Sequence, residues 1–490
     1  MNKVNHSCAK ALKYVLARGA SAFDAASRNA SRTTFGGNLG AGEGFSVRLL
    51  APLLASACLA SPALAAPDFA AAVKKDYDDK LGALFVDFHR NPELSFVEKR
   101  TAKIMANELR AAGATVTENV GGTGVVAVMK NGAGPTVMLR ADMDGLPVEE
   151  KSGLPIASKA RQTGIDGVEM PVMHACGHDV HITSLVGTAR RLAAMKDRWR
   201  GTVVMIVQPA EERVGGARAM LADGLYTRFP KPDYAVAFHV SSALGTGKVS
   251  ASEGIQYSSA DSVDITVHGV GAHGAAPHAG KDPVYIGSMI VAALQSITSR
   301  EVMPLSPAVI TVGSFHSGTK HNIISDRADL QVTVRANDEK TRAQLLAAID
   351  RVAKGVARTH GVPEDKLPTV KVSEGTPTTI NDAALARRLN AAMANALGAD
   401  AVEPFEQLSM GAEDFAYFVQ PELGVPGYYF AVGGTPQTVL DAAEQGGPPV
   451  PSHHSPLFKI DAEPSVRLGT EAMTVAVLDL LKPGASVGGH

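Results

Sequence analysis

Cysteine is nearly absent from this 490-residue chain, which holds only Cys8, Cys58 and Cys176. So sparse a set excludes a disulfide-stapled scaffold of the kind that small secreted domains use. Charge of one sign is missing as well. The formal net charge is -2 and no Lys/Arg run supplies a local basic patch, so the chain has no surplus to neutralise a phosphate backbone, and nucleic acid is excluded as a partner. No stretch reaches the ~20 consecutive apolar residues that a membrane span needs. What is present is a globular composition, 45% hydrophobic and 20% charged, enough to bury the cores of roughly two or three domains.

Residues 1–66 read as a targeting segment. Arg48 precedes an apolar run, Leu49 to Ala60, and small Ala63 and Ala65 then flank a cleavage point. The pattern predicts a secretory signal ending near Ala65 and an exported, periplasmic protein. The Arg/Lys/Ser-containing stretch from Met1 to Gly44 fits either an over-extended start or an organellar transit sequence. Cleavage at Ala65 removes Cys8 and Cys58 and leaves Cys176 without a disulfide partner.

From residue 67 onward, helical and strand-like segments alternate. Gly124–Met129, Thr136–Leu139 and Thr202–Val207 are short, β-branched and nearly unbroken, as in strands buried on both faces, whereas Ile182, Leu185, Val186, Ala189 and Leu192 recur at helical spacing. This predicts an α/β catalytic domain with a mostly parallel sheet, whose chemistry sits beyond the carboxyl ends of the strands. Between Asp261 and Ser373 the predicted order is βαββαβ, a ferredoxin-like arrangement that forms a compact unit by itself. The expected organisation is a catalytic domain in two stretches, 67–258 and 377–482, interrupted by the inserted unit over 259–376 and followed by a tail over 483–490.

The densest polar cluster is Met173-His174-Ala175-Cys176-Gly177-His178-Asp179-Val180-His181. In an extended segment, residues two apart project to the same side, so Cys176 and His178 can reach one centre, and a thiolate with an imidazole suits zinc or a neighbouring divalent metal. Asp179 could cap the following helix. Glu211 and Glu212 follow the strand Thr202–Val207; adjacent carboxylates at a strand end repel unless a cation compensates, and a metal lets one coordinate while the other serves as a base. Asp142 and Asp144 follow the strand ending at Leu139, His239 follows the apolar run Tyr234–Phe238, and His453-His454 lies late in the chain. Together these supply more ligands than one ion needs.

The strings RADMDGLP, MHACGHDVH, QPAEE, GAHGAAPH with KDPV, NIIS, and MGAEDF with HHSP, in this order, resemble the amino-acid amidohydrolase subfamily of the aminoacylase and carboxypeptidase superfamily of metallopeptidases. That group includes hippurate hydrolases, hydrolases of indoleacetic-acid amino-acid conjugates and N-acetyl-amino-acid deacetylases. The resemblance covers residues 68 to 482. It implies a metal-dependent amidohydrolase acting on N-acyl amino acids or short peptides. Cys176 would bridge two divalent ions, zinc or manganese with nickel or cobalt as alternatives, and His178, Glu212, His239 and His454 would complete the ligand sets. Glu211 would be the general base, and Asp142 and Asp144 would orient imidazoles. The inserted unit resembles the family's lid and dimerisation domain, which implies a homodimer. His273 is similar to the histidine that steadies the oxyanion from the neighbouring subunit, and Asn322 and Arg335 are candidates for holding a substrate carboxylate.

Two other readings stand beside this one. Cys176 could be the nucleophile of a thiol amidase, which would survive a chelator. An exported binding protein without chemistry would leave the metal and base positions damaged, and they are intact.

Overall fold

The computed structural model describes residues 66–484. The expected signal and its cleavage point, with Cys8 and Cys58, lie outside the described residues, as does the end of the tail. Among the described residues no helix is long and apolar enough to cross a membrane.

Helices α1 (Ala66–Asp76), α2 (Gly82–Arg90) and α3 (Lys99–Ala111) lead into strands β1 (Thr115–Val120), β2 (Gly124–Asn131) and β3 (Thr136–Asp142). Helix α4 (His178–Ala194) is followed by β4 (Gly201–Gln208), β5 (Tyr234–Gly245) and the short β6 (Val249–Ser250). The chain leaves this layer through β7 (Ile255–Tyr257). The inserted unit follows as β8 (Ser259–His268), α5 (Pro283–Ser296), β9 (Ala308–Ser317), β10 (Arg327–Ala336), α6 (Glu339–Thr359) and β11 (Thr369–Thr376). The return passes through β12 (Thr379–Ile380) to α7 (Ala383–Leu397), β13 (Val402–Glu403), β14 (Gly427–Thr435) and α8 (Ala462–Leu480).

The large sheet has the order β1-β2-β4-β3-β5-β14-β6-β13. Its centre is parallel: β3 pairs in parallel with β4 and β5, and β5 with β14. Its β1–β2–β4 side is antiparallel. The unbroken apolar runs are explained by two cores. Val203, Met205 and Val207 face one, with helices α2, α3, α4 and α8; Val204 and Ile206 face the other, with Met220, Phe415 and Phe418. Helices therefore cover both faces, and only the strand ends are left for polar side chains.

The inserted unit has the expected βαββαβ order and an antiparallel sheet, β9-β10-β8-β11. Strand β8 alternates between buried and part-exposed residues along its length. Val263, Ile265 and Val267 pack with Ile286, Ile290 and Leu294 of α5 and with Leu345 and Ile349 of α6 in a hydrophobic core of their own. Two local expectations are corrected. Strand β5 does not stop before His239 but continues to Gly245, carrying the imidazole inside the strand. Helix α4 begins a full turn before Ile182, at His178.

Candidate metal centre

The early start of α4 changes how Cys176 and His178 meet. They do not lie on an extended segment; Gly177 precedes the helix in the left-handed region, at φ 86°. A Cβ there would stand 2.4 Å from Val240 Cγ1, so the close approach of this loop to β5 requires glycine. Nor is Asp179 the N-cap: it sits in the first turn, where Oδ1 accepts the Val180 N–H at 2.9 Å and Oδ2 lies 2.7 Å from His89 Nδ1.

His178 and His239 are each fixed through the inner nitrogen. His178 Nδ1 donates to the Asp144 carbonyl at 2.8 Å, which turns Nε2 toward Glu211 Oε2 and Glu212 Oε1, both at 3.9 Å. His239 Nδ1 donates to the Val240 carbonyl at 2.7 Å and leaves Nε2 3.4 Å from Cys176 Sγ. His454, held at a strained φ of 66°, brings Nε2 to 3.4 Å from the same sulfur and 3.4 Å from Glu212 Oε2. His453 points elsewhere, its Nε2 accepting the Ser242 N–H at 3.3 Å.

The glutamate pair forms a single 3-10 turn after β4, flanked by Ala210 and Val214 at φ 49° and 52°. Asp144 holds that turn. Its two oxygens accept the Glu211 and Glu212 N–H groups, each at 3.1 Å, and Ser95 Oγ donates to it at 2.6 Å. The carboxylate of Asp144 therefore orients the glutamates, and Asp144 meets His178 Nδ1 both through its main-chain carbonyl and through Oδ1 at 3.5 Å. Asp142 Oδ1 lies 2.5 Å from His181 Nδ1, and Oδ2 lies 3.6 Å from His178 Nε2. His181 Nε2 accepts the Val240 N–H at 2.9 Å, so this histidine is committed to the backbone.

The electrostatics call for a cation. Burial pushes the Glu211 carboxyl well above its ordinary range, reinforced by Glu413 and Glu212. Glu212 is pushed up to about 8 by burial, with His178 opposing and Asp144 adding. The Cys176 thiol is driven up by burial and by Glu212 and Glu211. Burial and neighbouring histidines keep His239 neutral, with its lone pair available. His178 Nε2 and Glu212 Oε1 are buried without a hydrogen-bond partner, which is costly unless something is bound there. Two groups, Cys176–His178–His239 and Cys176–Glu212–His454, each place their donor atoms within 4.8 Å of one another and share the sulfur. Ligand atoms on one tetrahedral ion stand roughly 3–4 Å apart, so the residues present fit divalent metal.

The structure does not bring every candidate together. His273 is exposed on the inserted unit, where its Nδ1 accepts the Ala275 N–H at 3.0 Å; Asn322 is exposed nearby, the Gly274 N–H donating to its main-chain carbonyl at 2.8 Å. Arg335 is part-buried and donates through Nε to Thr333 Oγ1 at 3.3 Å. It does not pair with Asp338, which caps α6. Sequence reasoning assigns no role to Arg140, Glu413 or Asp414, although all three stand in the motif strings; the signal lies in their charge, since nothing but mutual pairing accommodates such residues in a core.

A strand-end site in an α/β sheet, with a thiolate, imidazoles and an unpaired carboxylate around a place for divalent ions, defines a metal-dependent hydrolase. The chain belongs to peptidase family M20/M25/M40, whose profile matches residues 138–445. It is 38% identical over 335 residues to the hippurate hydrolase of Campylobacter jejuni, covering 68% of this chain and 83% of that one. To thermostable carboxypeptidase 2 of Saccharolobus solfataricus it is 37% identical over 364 residues, 73% of this chain and 87% of the relative. A solved dinuclear metal-binding M20 peptidase of Bacillus subtilis superposes with a TM-score of 0.67 at 28% identity, covering 83% of this chain and 99% of that one. The protein is a metal-dependent amide hydrolase.

Proposed function

We propose that the enzyme hydrolyses the amide bond of N-acyl amino acids or short peptides at a divalent-metal centre that Cys176, His178, His239, Glu212 and His454 would hold. The single observation that carries this reading is the pair of donor groups meeting at one sulfur. Zinc suits the thiolate and imidazoles, and manganese, nickel or cobalt are the alternatives that availability decides.

When bound, the ions supply Lewis-acid activation of water and of the substrate carbonyl. The chain's own residues do the rest. Glu211 forms no side-chain hydrogen bond among the described residues, and its Oε2 faces the centre 3.9 Å from His178 Nε2. It takes the proton from the attacking water and delivers it to the leaving nitrogen. Asp144 fixes the turn that aims it. Among the described residues the guanidinium of Arg335 has no acidic partner at hydrogen-bond distance, and with Asn322 it suits the substrate carboxylate.

Hippurate and a peptide C-terminus both present an amide beside a free carboxylate, which sets the expected substrate class. In a panel of N-acetyl and N-benzoyl amino acids, dipeptides and the corresponding amino-acid amides, kcat/KM is expected to fall at least tenfold when the carboxylate is amidated. Equal rates with acid and amide would reject the assignment.

His273 is exposed on the inserted unit, and we propose that a second copy supplies it to the site through a homodimer of that unit. Mixing the inactive Glu211→Gln variant with the impaired His273→Ala variant creates one intact site per mixed dimer. Recovered activity is the expected result; no recovery after subunit exchange rules the arrangement out.

A further inference from the structure

We infer that Arg140 and Glu413 are positioning residues that tie the orientation of the metal-facing imidazoles to the two crossings through which the inserted unit joins the central sheet. The inference rests on the ligand roles proposed above for His178 and His239.

Arg140 is fully buried on β3 and is ringed by acids. Its Nη1 donates to Asp142 Oδ2 at 2.6 Å and Glu413 Oε2 at 3.2 Å, its Nη2 to Glu413 Oε1 at 2.6 Å and Asp414 Oδ1 at 3.3 Å, and its Nε to Gln208 Oε1 at 2.9 Å. Three carboxylates crowd one guanidinium in the interior. Such a cluster is a poor way to stabilise a core, because apolar side chains of similar volume serve as well or better. Its geometry points to another use.

Followed toward the metal centre, the network is one hydrogen bond per step. Arg140 holds one oxygen of Asp142. The other lies 2.5 Å from His181 Nδ1; His181 Nε2 accepts the Val240 N–H at 2.9 Å, and the Val240 carbonyl accepts His239 Nδ1 at 2.7 Å. The oxygen of Asp142 that Arg140 grips is also the one 3.6 Å from His178 Nε2. His239 is thereby referred to a single guanidinium through hydrogen bonds, and the Asp142 oxygen which that guanidinium grips stands against the second imidazole, His178.

Followed the other way, the network ends on the crossings. The main-chain carbonyl of Glu413 accepts Thr379 Oγ1 at 3.1 Å and Thr376 Oγ1 at 3.4 Å. Thr376 ends β11 and Thr379 opens β12, the segment on which the chain returns. Tyr429 donates its hydroxyl to Glu413 Oε2 at 2.5 Å, and its ring meets that of Tyr257 edge-on with centroids 5.4 Å apart. Tyr257 ends β7, the outgoing segment, and pairs there with Thr379. A displacement of either crossing moves Glu413, and the bidentate grip on Arg140 carries it to Asp142. Positional coupling of this kind passes through rigid, fully bonded groups rather than through a single flexible side chain.

The test uses the full enzyme reconstituted with cobalt(II), whose visible bands report the geometry of the thiolate and imidazole ligands independently of turnover. Thr379→Val removes one hydroxyl far from any ligand. It is expected to leave cobalt stoichiometry unchanged, to shift the visible bands and to lower kcat about 2- to 30-fold with little change in KM. Thr379→Ser keeps the hydroxyl and should match the parent. Combining Thr379→Val with Glu413→Gln should cost no more than Glu413→Gln alone, since both cut one path. If Thr379→Val does not fold, Tyr429→Phe carries the same test through the Glu413 side chain. Unchanged bands in the hydroxyl-deleting variant, a Ser variant as impaired as the Val variant, or effects that simply multiply would each overturn the link. An unaltered enzyme that binds no cobalt at the thiolate would instead overturn the ligand assignment beneath it.

Discussion

Glu211→Gln is expected to keep its full complement of metal and to lose about 10²- to 10⁴-fold in kcat, the range that a positioned general base contributes. The amide is nearly isosteric and leaves the backbone grip of Asp144 on the turn untouched. What it cannot do is accept a proton from water. Glu212, one residue on, is not expected to take over, because it is the proposed ligand beside His454, whose Nε2 lies 3.4 Å from Glu212 Oε2. Elemental analysis and steady-state kinetics on the same preparation check both halves. A variant that turns over like the parent removes Glu211 from the mechanism, and a variant that loses metal makes it a ligand instead.

Stripping the ions with a chelator is expected to abolish turnover and to destabilise the fold. Once the cations leave, burial and mutual repulsion push Cys176, Glu211 and Glu212 toward their protonated forms, and each charge that remains is costly. Metal bound at 100 to 1,000 times its Kd stabilises a protein by about 3–4 kcal/mol, so a thermal melt should fall by several degrees on chelation and recover on readdition. Reconstitution with zinc, manganese, cobalt and nickel in turn ranks the candidates by restored kcat/KM. A thiol amidase would behave in the opposite way, keeping its activity in chelator and losing it to an alkylating reagent.

Much of this is legible in the chain itself, for identifiable reasons. Thr202–Val207 and Thr136–Leu139 are unbroken because both faces of the sheet are covered, and such runs announce buried parallel strands. The period-two pattern of Ser262–Val267 survives because only one face of that smaller sheet is covered. Strand β1 escapes the pattern because its residues are mostly polar and only Val120 is fully buried. Hydropathy drops at His239 and so places it at a strand end, yet pairing with β14 continues past it. The left-handed turn at Gly177 is invisible to a pattern of hydrophobicity, being set by how closely Val240 approaches. Least legible is the role of Arg140, whose partners Glu413 and Asp414 stand more than 270 positions away and are joined to it only by the closing of the sheet.

The missing methyl at position 177 has a further meaning. The loop bearing the sulfur packs so closely on the strand bearing His239 that an added Cβ would meet a methyl of Val240 at 2.4 Å, so the gap between two metal-facing groups is gauged by a glycine hydrogen facing a valine side chain. Engineering of this enzyme has no room at that spacer, where even alanine would wedge the two walls apart.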